Sequence, residues 1–127
     1  MGRILAIDYG KKRVGLAVSD PCGIIATGLQ TVLSQEIFRF LEAYLSHEKV
    51  DLFVVTYIKP FLSGLKRRFP HIPIVMYDER FTSVLAHKAL LEGGAKKKTR
   101  QDKALIDTMS ATIILTSYME QQRNLKI

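Results

Sequence analysis

Residues Ile4 to Ile7 form an unbroken apolar run that ends on a carboxylate, Asp8, turns around Gly10 to Lys12, and runs apolar again from Val14 to Val18. An apolar run without alternation is the pattern of a central strand covered on both faces, and a second run after a short turn predicts a hairpin. Ile24 to Val32, broken by Gly23 and Gly28, reads as a third, more irregular strand at an edge. The chain therefore opens with an antiparallel trio whose central strand ends on an acid.

The rest of the sequence alternates in type. Ser34 is placed to cap a helix in which Ile37, Phe38, Leu41, Tyr44 and Leu45 recur at helical spacing, with Arg39 and Glu42 outside. Asp51 to Thr56 reads as a buried strand, Tyr57 to Phe69 as a helix, and Ile72 to Tyr77 as a short strand bounded by Pro70 and Pro73. Strand, helix, strand predicts a parallel crossover. Thr82 or Ser83 begins a helix that stops at Gly93 and Gly94, and a longer helix spans about Gln101 to Gln121. The expected fold is α/β: a mixed five-stranded sheet, three strands antiparallel and two parallel, with helices on both faces.

At 127 residues the chain is expected to form one domain, spanning 1–127, which disfavours architectures that need two lobes, such as actin-like or sugar-kinase-like phosphotransferases. Nineteen basic against twelve acidic residues give a net charge of +7, so nucleic acid is the first partner to consider, with solubility as the plainer reason for the charge. One cysteine, Cys22, and no signal-like opening suggest a reducing cytoplasm, and no apolar run is long enough to span a bilayer. His47, His71 and His87 lie far apart without cysteine neighbours, which argues against zinc. A hard cation held by carboxylates stays open.

Three acids stand out. Asp8 and Glu79 would each end a parallel strand at the carboxyl edge of the sheet, where open α/β folds bind ligands. Each alone could equally cap a helix or pair with a base such as Arg80. Asp107 lies on the helix face that carries Ala104, Ala111, Ile114 and Tyr118, so it needs a base, a proton or a metal, and Lys103 one turn away is the simplest partner. Three carboxylates at one place repel unless divalent ions complete the site, and oxygen ligands of this kind suit Mg²⁺ or Mn²⁺. Two such ions would permit phosphodiester hydrolysis.

The segments "LAIDYGKKRVGLAVSD" (5–20), "VDLFVV" (50–55), "YDERFTSVLA" (77–86) and "KALIDTMSATIIL" (103–115) together resemble the YqgF family, relatives of RuvC-type Holliday junction resolvases within the ribonuclease H-like superfamily. The resemblance implies a metal-dependent nuclease that trims the 5′ end of precursor 16S ribosomal RNA, with junction resolution as the older proposed activity. It assigns Asp8, Glu79 and Asp107 as catalytic metal ligands. Lys12 and Arg13, with Arg80 and the run Lys96, Lys97, Lys98 and Arg100, are the expected phosphate contacts, although the run could simply be a solvated loop. Thr82 and Ser83 either donate to phosphate or cap their helix.

One departure is visible. Where the family has a loop of roughly a dozen or more residues after the strand DLFVV, this sequence passes from "VVT" straight to "YIKPF". Either the loop is deleted or it is omitted between Thr56 and Tyr57, and omission is the preferred reading. A nucleic-acid-binding module that keeps the fold without cutting is the alternative class; the presence of all three acids argues against it. A ribosomal precursor particle is the expected assembly partner, and the chain is expected to be a monomer or weak dimer.

Overall fold

A computed structural model describes residues 2–56, 59–77 and 103–125. Its strands are β1 (Arg3–Tyr9), β2 (Arg13–Ser19), β3 (Ala26–Leu33), β4 (Val50–Thr56) and β5 (Ile74–Tyr77). Its helices are α1 (Ile37–Leu45), α2 (Lys59–Arg68) and α3 (Lys103–Leu125). The expected helix after Thr82 lies outside the described residues.

The strands form one sheet in the order β3-β2-β1-β4-β5. β1, β2 and β3 pair antiparallel, and β4 and β5 extend the sheet parallel to β1. The expected mixed sheet is therefore present. β3 is the irregular edge strand, slipping register between Leu16 and Ala17 of its neighbour.

Several details differ from the sequence reading, among them β5, which begins at Ile74 where a strand was expected from Ile72. Ile24 and Ile25 are not strand: their N–H groups donate to one oxygen of Asp20, both at 2.7 Å, while Cys22 N–H donates to the other at 3.1 Å. These amides are thus withdrawn from the ladder, and Gly23, at φ 69°, supplies the left-handed turn between them. The Ile25 N–H, aided by those of Ile24 and Cys22, holds the Asp20 carboxyl below its ordinary value of 3.8. Nor does Ser34 cap α1. It opens a 3₁₀ turn (Ser34–Glu36), and its hydroxyl donates instead to Gly10 O at 2.7 Å.

Alternation along the strands sorts the side chains by size. Leu5, Ile7, Val14, Leu16, Phe53 and Val55 face one side, where Ile37 and Leu41 of α1 and Phe61 and Leu65 of α2 cover them. Each such buried aliphatic or aromatic side chain contributes roughly 1.5–3 kcal/mol. The other face presents Ala6, Ala17 and Val54 to Ala111, Ile114 and Leu115 of α3. Small residues there let α3 approach the sheet closely. A methyl group on Gly28 would meet Thr108 Cγ2 at 2.7 Å, and one on Gly15 would collide with the main-chain carbonyl of Asp107.

Two substitutions on α3 and its track should act in opposite directions. Gly15→Ala forces backbone apart and is expected to cost about 3 kcal/mol in a denaturant melt. Ser110 is fully buried and its hydroxyl has no hydrogen-bond partner among the described residues, so Ser110→Ala should gain about 1 kcal/mol in the same melt.

Candidate active site at the carboxyl end of the central strand

β1, β4 and β5 run parallel, so Tyr9, Thr56 and Tyr77 all close on one edge of the sheet. Thr56 is fully buried, and its hydroxyl oxygen accepts the N–H of Tyr9 at 3.0 Å, extending the β1–β4 ladder to the last residue of β1. Tyr9 also stacks on Phe61 of α2, ring centroids 4.3 Å apart. Asp8 therefore stands between two residues that are tied down on both sides.

Asp8 alternates with Ile7 and Tyr9 and so belongs to the face covered by α3. Directly opposite it on β2 is Gly15, and opposite Gly15 on β3 is Thr31. Paired residues of this kind have Cα atoms about 4.5–5.5 Å apart. The helix lies across this row: Thr108 and Thr31 share a hydroxyl–hydroxyl bond of 2.7 Å, and the main chain of Asp107 rests on Gly15. Asp107 is thereby brought beside the residue that faces Asp8. Two of the three expected acids share one patch, from positions far apart in sequence. Glu79 lies outside the described residues, two positions beyond the end of β5.

Arg13 belongs to the same face two residues before Gly15, and its Nε donates to Asp107 Oδ2 at 2.9 Å. The pair is only partly exposed, at 33% and 27% of the side-chain surfaces. The base beside Asp107 is thus Arg13 of β2, where helix spacing had suggested Lys103, whose side chain is outside the described residues. A spacing argument within one helix could not find a partner contributed by another element.

The turn that carries the basic residues is also fixed. Gly10 N–H donates to Arg13 O at 2.9 Å, Ser34 N–H donates to Lys12 O at 2.9 Å, and the Ser34 hydroxyl reaches Gly10 O. Lys11 and Lys12 stand exposed on this turn at the same edge as Asp8. Arg80, Lys96, Lys97, Lys98 and Arg100 lie outside the described residues. Gly15, Thr31, Ser34, Thr56 and Thr108 were not singled out as site residues. Of these only Gly15 carried a signal, since a glycine inside a strand marks close backbone approach.

Two carboxylates on rigid elements, with cationic side chains around them, offer hard oxygen donors of the kind that hold Mg²⁺ or Mn²⁺. Among the described residues no three His, Cys, Asp or Glu side chains gather to hold a metal ion. A complete ligand set would need a further donor such as Glu79. No helix among the described residues is long and apolar enough to cross a membrane.

The model of the RuvX family, described as Holliday junction resolvase, matches residues 2–121. A Parabacteroides distasonis protein named as a proposed pre-16S rRNA nuclease is 53% identical, over 97% of this chain and 98% of its own. A Bacteroides thetaiotaomicron protein of the same name is 48% identical, over 97% and 99%. Among solved structures, T. thermophilus RuvC in complex with a Holliday junction substrate matches with a TM-score of 0.55, at 13% identity and over 96% of each chain. That likeness is one of fold, the ribonuclease H-like fold.

Ser34 offers a test of the clamped turn. Ser34→Ala removes the bond to Gly10 O and is expected to cost about 1 kcal/mol of stability. Amide exchange at Lys11 and Lys12 should quicken in the variant, as read by hydrogen–deuterium exchange.

Proposed function

Because this chain belongs to the RuvX family, we propose that it is a metal-dependent nuclease that hydrolyses phosphodiester bonds, with the 5′ end of precursor 16S ribosomal RNA as its substrate. The observation that carries this reading is the convergence of Asp8 and Asp107 around Gly15, at the edge where Lys11, Lys12 and Arg13 also stand. The names of the 53% and 48% identical relatives support the choice of substrate.

In this reading Asp8, Asp107 and Glu79 hold two Mg²⁺ or Mn²⁺ ions. Such ions, when bound, lower the pKa of the attacking water and stabilise charge on the leaving oxygen. The protein's own side chains do the positioning. Asp8 is held by the central strand and cannot shift without breaking the β1–β4 ladder that Thr56 closes. Lys12 and Arg13, joined by Lys11 and by Arg80, Lys97, Lys98 and Arg100, neutralise backbone phosphates on either side of the cut. A basic chain of +7 draws in a structured polyanion of this kind, a ribosomal precursor particle in the cytoplasm. Branched DNA is the competing substrate, favoured by the description of the family.

Cleavage of a precursor 16S fragment and of a synthetic four-way junction, each with Mg²⁺ or Mn²⁺, tests the reading. Wild type should cut the RNA at the mature 5′ end and Asp8→Asn should cut at least about 100-fold more slowly while melting at the same temperature. Full activity in Asp8→Asn would sink the carboxylate assignment; junction cleavage without RNA cleavage would replace the substrate.

A further inference from the structure

The Arg13–Asp107 pair is an odd feature for a site that must take up divalent ions. A metal ligand needs its oxygens, and here one oxygen of Asp107 already accepts a charged donor at 2.9 Å. Neither partner can drift away as a whole. The main chain of Asp107 rests on Gly15, and that of Arg13 is fixed because its carbonyl accepts the Gly10 N–H. Only the two side chains can rearrange.

The arginine is also well suited to serve two partners. The bond to Asp107 uses Nε, and the planar guanidinium carries four further N–H donors on its terminal nitrogens. These can meet a phosphate once the carboxylate no longer holds the group. Charge gives the reason for such a rearrangement. A monovalent guanidinium and a divalent ion within a few ångströms of one another repel, whereas each alone is attracted to the carboxylates of Asp8 and Asp107.

We propose that Arg13 is a positioning residue that stands in for the divalent ion: it holds Asp107 while the site is without metal and releases it, toward substrate phosphate, when metal binds. This rests on the reading of the site as a metal-dependent nuclease. Arginine and metal then compete for one carboxylate. Competition of this kind is reciprocal, so what weakens the arginine's hold strengthens the metal's. A metal-free site keeps its carboxylate in place, and the cation is in position to move to the substrate when the ion arrives.

The consequence is measurable without turnover. Mn²⁺ is titrated calorimetrically into wild type, Arg13→Gln and Arg13→Lys, with a thermal melt of each. Arg13→Gln should bind Mn²⁺ at least about fivefold more tightly than wild type, and Arg13→Lys, which keeps the charge, should stay near wild type. A merely structural tie between β2 and α3 would lower the melting temperature and leave Mn²⁺ affinity unchanged. An arginine that orients Asp107 for the metal would make the glutamine variant bind more weakly. Either result overturns the inference while leaving the nuclease reading intact. If neither wild type nor Arg13→Gln binds Mn²⁺, the metal reading falls and the inference falls with it. Arg13→Met, which keeps the aliphatic stem, takes the place of the glutamine variant if that variant does not fold.

Discussion

The contact on which the site depends is between two backbones: the main chain of Asp107 against the α-carbon of Gly15. Nothing larger than hydrogen fits between them. The contact sets the height of α3 above the sheet, and Thr108 bonded to Thr31 sets its position across the strands. With height and position fixed, Asp107 comes beside the strand position that faces Asp8. The helix comes this close because the sheet carries glycine and alanine on this face where most sheets carry valine and isoleucine.

Having one face built of small residues and the other of large ones divides the labour of the fold. Leu5, Ile7, Leu16 and Phe53 bury the bulk of the apolar surface under α1 and α2 and hold the sheet rigid. The opposite face, with Ala6, Ala17 and Val54, buries less but gains proximity. Stability and site geometry thus lie on opposite sides of the same strands. The aromatic stack of Tyr9 on Phe61 shows them meeting, since it braces the end of β1 from the side opposite Asp8.

Much of this was legible from the sequence. The unbroken run at Ile4 to Ile7 announced a strand covered on both faces, Asp51 to Thr56 a buried strand, and helical spacing announced α1 and α3. Asp8 and Glu79 drew notice as acids ending strands at the carboxyl edge, and Asp107 as an acid on an apolar helix face. What could not be read were partners from distant elements. Asp107 pairs with Arg13, 94 residues earlier, and no helix period encodes that. Ser34 resembled a cap because caps and turn clamps use the same hydroxyl chemistry. Ile24 and Ile25 resembled strand because the competing acceptor, Asp20, lies outside any apolar pattern.

Chain order adds a property that the finished fold hides. Asp8 and Arg13 lie on β1 and β2, which with β4 fall within the residues up to 56. α3 begins only at residue 103. Asp8 thus precedes Asp107 in the chain, on a separate element. Asp8 and Asp107 can therefore be brought to one face only by the docking of α3 on the small-residue side of the sheet.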